Sequence, residues 1–258
     1  WKHAKINLSK DYPKHFGDAY WVWAPQTIYD RKAKKYMIYF TLQRNDRKSL
    51  ITYYAYANKD FTGFESEPKQ LFSAKYGSID NDIIEKDGTY HLFYKGNTKD
   101  ENGKEIKNGI QQATSKSLKG KWKEDFKYLD AYAGKTPVEG SSIFKLNGKD
   151  EYVLMYDMYT SGRYEYQTST DLYHFSEPKA FTKDFFPRHG SVISLTRDEL
   201  QRLQEKWGYV VRYEFESQGN PIVRHIHTAD PAALVKGDTL WLFAGRDQNG
   251  NQSGYVMK

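Results

Sequence analysis

Ser78-Ile-Asp-Asn-Asp-Ile-Ile-Glu-Lys-Asp-Gly-Thr-Tyr-His-Leu-Phe-Tyr-Lys95 is the stretch on which the fold is decided. A short apolar run, the two-residue turn Asp87-Gly88 and a second, aromatic-rich run read as a β-hairpin, because Asp-Gly accepts the positive φ that a tight hairpin turn demands. The arrangement occurs twice more. Val138-Glu-Gly-Ser-Ser-Ile-Phe leads through Asn147-Gly148 to Glu151-Tyr-Val-Leu-Met-Tyr-Asp157, and Thr228-Ala-Asp-Pro-Ala-Ala-Leu leads through Gly237-Asp238 to Thr239-Leu-Trp-Leu-Phe-Ala-Gly245. Each copy opens on an acid at what reads as the same place: Asp80, Glu139 and Asp230. If the copies are set around an axis, equivalent positions converge and three carboxylates meet where they can do acid/base chemistry.

Around these hairpins the remaining apolar runs are four to eight residues long, rich in Tyr, Phe, Ile and Val, and bounded by turn residues, as strands are. They fall into sets at about 20–70, 77–125, 138–180, 187–218 and 221–258, recurring at about 50 to 60 residues, a period expected of propeller blades of three or four antiparallel strands. The expectation is an all-β chain folded as one five-bladed β-propeller over residues 1–258. Its one convincing helix interrupts the fourth set, whose first strand is expected at Arg188-His-Gly-Ser-Val-Ile-Ser-Leu195. That helix is predicted at 196–207, from a Thr196 cap with Glu199 three residues on to a stop at Gly208. The last segment is expected to pack beside the Trp23-Ala-Pro blade, because an open ring leaves sheet surface uncovered.

Composition narrows the class of function. The 258 residues include 22 Tyr, 14 Phe and 6 Trp, rings that build half-buried strands and also bind sugar faces, so they suit a carbohydrate site without proving one. The net charge is +6, but the lysines are scattered among acids and turns, which reads as a solvated surface and not a nucleic-acid footprint. No apolar stretch approaches a membrane span, so no membrane partner is expected. With no Cys there is neither a disulfide, nor a thiolate metal site, nor a Cys nucleophile. His225 and His227 alternate on one strand face, but no third ligand stands at useful spacing, so a zinc site is rejected.

Taken together and in order, Trp23-Ala-Pro-Gln, Ser78-Ile-Asp with Lys86-Asp-Gly-Thr-Tyr-His-Leu-Phe-Tyr-Lys95, Val138-Glu-Gly-Ser, Pro187-Arg-His-Gly and Thr228-Ala-Asp-Pro-Ala resemble glycoside hydrolase family 43, the β-xylosidase, α-L-arabinofuranosidase and arabinanase group. The resemblance implies a five-bladed propeller that hydrolyses glycosidic bonds of plant-cell-wall polysaccharide with inversion, acting on xylo- or arabino-oligosaccharides. It implies Glu139 as general acid, Asp80 as the carboxylate that tunes its pKa and orients substrate, and Asp230 as general base. Trp23, Arg188, His189 and Arg246 are the expected substrate-binding residues. No cofactor is required and no metal ligand is assigned, although the family often places a His beside a cation such as calcium near the axis, where His189 would lie. A secreted or periplasmic location goes with that substrate class.

The chain departs from the family in one respect. The base normally precedes the Trp-Ala-Pro segment, whereas here the Ala-Asp-Pro step comes at the far end. Either the propeller is permuted, or the chain is a fragment of a tandem protein in which Gly219-Asn-Pro begins a second domain. In the second case the alternative is a non-catalytic carbohydrate-binding propeller, lacking its base. For inversion, acid and base must stand about 6.5 to 9.5 Å apart. Like-charge proximity of Asp80 is then expected to keep Glu139 protonated near neutrality.

Overall fold

The structure, a computed structural model, describes residues 4, 6–130, 135–181, 188–208, 228–247 and 255–257; for 228–231, 244–247 and 255–257 it describes the backbone only. Four antiparallel sheets follow one another along the chain, each with its strands in sequence order. The first holds β1 (Ala19–Asp30), β2 (Lys35–Arg44), β3 (Leu50–Tyr56) and β4 (Lys69–Phe72). The second holds β5 (Ser78–Lys86), β6 (Thr89–Lys99), β7 (Glu105–Ser115) and β8 (Lys123–Glu124). The third holds β9 (Glu139–Lys145), β10 (Tyr152–Met158), β11 (Arg163–Ser169) and β12 (Lys179–Ala180), and the last β13 (Thr228–Lys236), β14 (Thr239–Asp247) and β15 (Tyr255–Met257). The β5–β6 turn has the expected geometry, with φ of 49° at Asp87 and 72° at Gly88.

Face-to-face burial orders the sheets. Strand alternation sends Met37 and Tyr39 of β2 against Ile83, Leu92 and Tyr94 of the second sheet, whose Phe93 and Ile110 pack on Leu154 and Tyr156 of the third. Ile38, on the opposite face of β2, joins Phe61, Leu234 and Trp241, so the last sheet lies against the first, as the closing-segment expectation requires. The Phe61 and Trp241 rings lie 5.0 Å apart. Two short helices, α1 (Leu8–Asp11) and α2 (Pro13–Phe16), bury Leu8 and Phe16 against Val22, Phe40 and Tyr53. Each such side chain taken from water contributes about 1.5–3 kcal/mol, and this burial, together with the strand ladders, holds the layers in the order last, first, second, third.

All four opening strands carry a register shift at the same place. Pairing skips between Trp23 and Gln26 in β1, between Ile79 and Asp82 in β5, and between Ala229 and Ala232 in β13. In β9 it skips after Glu139, which pairs Asp157 of β10. Matched by register, Ala24, Asp80, Gly140 and Asp230 are equivalent, and Glu139 stands one residue earlier, with Trp23, Ile79 and Ala229. The expectation that Asp80, Glu139 and Asp230 share one position is therefore corrected for Glu139. The cause is the bulge, whose central residue takes a left-handed turn at Ala24, Asp80 and Gly140, with φ of 44°, 56° and 65°.

The fourth set also differs from expectation. Among the described residues Arg188–Leu195 is assigned to no strand, and Val192 and Ile193 are exposed. The residues of that set from 209 on lie outside the described part, as do His225 and His227. The described chain thus forms four sheets. Helix α3 (Arg197–Trp207) is as predicted: Thr196 caps it, Glu199 reaches back to the Thr196 N–H to complete a capping box, and Gly208 ends it.

Candidate active site

Asp80 and Glu139 come together where the bulges of β5 and β9 meet. The left-handed backbone at Asp80 is one that Asp tolerates better than most residues. It lets the buried carboxylate accept the Gly140 N–H through Oδ2 at 2.9 Å, while the Asp80 carbonyl accepts the Ser141 hydroxyl at 2.7 Å. Gly140 is required twice over: its φ is +65°, and a Cβ there would come within 2.6 Å of His189 Cδ2. Asn81, the next residue, donates to Thr41 Oγ1 at 2.7 Å and Thr52 Oγ1 at 3.0 Å, fastening β5 to the first sheet.

Glu139 is surrounded by basic side chains. Lys95 Nζ lies 2.7 Å from Oε2, while Arg188 Nη2 and His189 Nε2 lie 3.2 and 3.3 Å from Oε1. Burial alone would push the Glu139 carboxyl up, but the His189 and Lys95 interactions outweigh it and hold it down at about 2. Glu139 is therefore ionised in this arrangement, and the expectation that it is kept protonated near neutrality does not hold here. Lys95 shows the converse balance: burial would lower its ammonium, and Glu139 and Asp80 raise it.

Arg188 also bonds Asp157 Oδ2 through Nε at 2.7 Å, bridging two carboxylates that face each other across β9 and β10. His189 Nε2 stands 3.9 Å from Asp80 Oδ2. Trp23 is half-buried in the bulge of β1, its ring 5.0 Å from that of Trp21. Gln26, at the far side of that bulge, donates to Ser191 at 3.1 Å, so the first sheet touches the segment that carries Arg188 and His189. Asp230 lies on β13 at the register position of Asp80, and Arg246 on β14 pairs Thr228; the side chains of both fall outside the described residues. The structure thus brings together Asp80, Glu139, Arg188 and His189.

Asp80, Glu139 and His189 offer donor atoms within 4.8 Å of one another. Both Glu139 oxygens already take cationic donors, so the set does not fit a divalent cation. Asp82, two residues from Asp80, has a different task. Its buried carboxyl accepts the Ile143 N–H at 2.9 Å and the Tyr39 hydroxyl at 3.3 Å, tying three sheets, and desolvation raises it to about 7.

A protein family described as "Probable glycosyl hydrolase domain", related to glycoside hydrolase family 43, matches residues 3–201. The chain belongs to this family. No curated protein sequence matches it. Among solved structures, it is similar to the catalytic domain of the Coprinopsis cinerea α-L-arabinofuranosidase of family 62 (13% identity, 90% of this chain and 72% of that one, TM-score 0.48). It is also similar to an exo-1,5-α-L-arabinanase from a bovine ruminal metagenomic library (11%, 92% and 72%, 0.47). A third is the exo-β-1,3-galactanase of Phanerochaete chrysosporium (17%, 62% and 35%, 0.44), of whose length the match spans about a third. The family match, not these structures, carries the assignment.

For this family 43-related chain, reading the motifs alone overlooks Lys95 and Asp157. The signal was present in the repeat: Phe93-Tyr-Lys95 and Tyr156-Asp157 lie in the second strands of their hairpins, and Lys95 and Asp157 pair Ile79 and Glu139, the residues just before the two bulges. A charge at that recurring place points toward the neighbouring carboxylates.

Proposed function

We propose that the chain is a glycosidase that cleaves xylosidic or arabinofuranosidic bonds of oligosaccharides from plant-cell-wall polysaccharide by single displacement with inversion, outside the cytoplasm. Glu139 protonates the leaving oxygen, Asp230 activates the water on the opposite face of the sugar, and Asp80 orients the substrate. Trp23 supplies an apolar wall for a sugar face, and Arg188 and Arg246 hydrogen-bond its hydroxyls. The frame is the five-bladed ring of the family.

The observation that carries this reading is the meeting of Asp80 and Glu139 from adjacent sheets, with His189 and Arg188 beside them. Glu139 is the acid only when it holds a proton. His189, 3.3 Å away, is the group placed to hold that proton while Glu139 is ionised. A sugar that displaces Arg188 from Glu139 would leave the carboxyl beside Asp157 and Asp80, both of which favour moving the proton onto it. The chemistry uses side chains alone.

A second reading, a carbohydrate-binding module without hydrolysis, is favoured by the cations that hold Glu139 ionised. Proton NMR of the first sugar released from arabino- and xylo-oligosaccharides separates the two. Inverted product supports the glycosidase, retained product overturns its mechanism, and binding without any cleavage supports the module.

A further inference from the structure

We propose that Lys95 is the positioning residue of Glu139, fixing from the second sheet both where this third-sheet carboxylate points and whether it is charged. The inference rests on Glu139 being the acid of the proposed reaction only in what it says about rate; the ion pair stands apart from it.

Lys95 lies on β6 opposite Ile79, at the place that Asp157 takes on β10 opposite Glu139. It is 2.7 Å from Glu139 Oε2, and both side chains are only 14% exposed, so neither water nor salt replaces the contact readily. The Tyr159 ring lies 4.7 Å from the ammonium and limits where it can go. A buried lysine with a carboxylate and an aromatic face as partners is held to one direction, unlike the Arg188 head, which is 58% exposed.

The groups facing Glu139 are Lys95 from β6, Asp80 from β5, Asp157 from β10, Arg188 and His189 from the segment before α3, and Tyr159 just after β10 through Lys95. Asp157 pairs Glu139 directly, and like charges opposite each other on a ladder repel. With Asp80 also near, Glu139 without cations would sit among carboxylates and gain a proton. Arg188 answers Asp157 as well as Glu139, whereas the hydrogen bond of Lys95 goes to Glu139. Lys95 is thus the cation whose removal falls chiefly on Glu139.

The test follows the Glu139 carboxyl directly. Protein labelled with carbon-13 at glutamate side-chain carboxyls is titrated by NMR, with the Glu139 signal assigned by its loss in Glu139→Gln. In Lys95→Met the midpoint is expected to rise by about 1–3 pH units, the effect of an opposite charge at this range, and in Lys95→Arg to stay near wild type. The alkaline limb of kcat/KM on an oligosaccharide should move the same way in the Met variant and not in the Arg variant. Lys95→Gln, uncharged yet able to hydrogen-bond, takes the place of Met if that variant does not fold. A Glu139 midpoint unmoved in a folded, uncharged Lys95 variant overturns the proposal, even if Glu139→Gln abolishes hydrolysis. A midpoint that moves in a protein cleaving no glycoside leaves Lys95 in its role and sinks the glycosidase reading instead.

Discussion

Asp80 and Gly140 occupy equivalent bulge positions in adjacent sheets, and the Gly140 N–H donates to Asp80 Oδ2 at 2.9 Å. One bulge thus holds the side chain of the next. The contact sets the relation between Asp80 and Glu139, because Glu139 is joined directly to Gly140. It also explains why the two acids cannot be equivalent: the third sheet needs a glycine where the second has its carboxylate, since His189 fills the space over that backbone.

Gly140→Ala should therefore disturb the site more than its size suggests. The added methyl would meet the His189 ring at 2.6 Å, and a non-glycine residue at this φ costs about 1–2 kcal/mol. Urea unfolding should show a loss of at least that order. The imidazole signals of His189 in nitrogen-15 NMR should shift, and unchanged signals would show that the ring does not depend on the glycine.

Glu139→Gln should abolish hydrolysis of natural oligosaccharides while leaving the fold intact, since an amide carries no transferable proton. An aryl glycoside with a nitrophenolate leaving group needs little protonation and should regain part of the rate. Wild-type turnover of oligosaccharides by the variant would remove Glu139 from the mechanism.

Asp230→Asn is expected to lose activity on every substrate, activated ones included, because water still has to be deprotonated. Azide, which attacks without a base, should restore some turnover. If the variant keeps wild-type activity, the base lies elsewhere and the equivalence of Asp230 and Asp80 in register has no catalytic meaning.

Asp82 makes stability depend on pH in a stated direction. Its folded pKa, raised by burial to about 7 from 3.8, means that the folded state binds the proton more tightly than the unfolded chain. The stabilising effect of that proton is complete below 3.8 and declines as pH rises toward 7. Urea midpoints of the wild type should fall across this window relative to Asp82→Asn, which does not titrate. Parallel curves for the two proteins would show that Asp82 is ionised throughout.

Much of the architecture was legible in the sequence by itself. Asp87-Gly88 and Asn147-Gly148 mark hairpins, and the Thr196 and Glu199 pair marks a helix start, because turns and caps depend on residues that are neighbours in the chain. The acids Asp80 and Glu139 were likewise singled out by their place at hairpin openings. What only the tertiary structure decided was where those acids stand. Register depends on which residue of a second strand lies opposite, so the one-residue offset of Glu139 appeared only when Asp157 and Lys95 were in place. Its charge was likewise beyond the sequence: Lys95, Arg188 and His189 are 44, 49 and 50 residues away along the chain, and an electrostatic field is set by distance through space. The same holds for Arg188–Leu195, whose composition suits a strand but whose pairing depends on a neighbour that no local signal can supply.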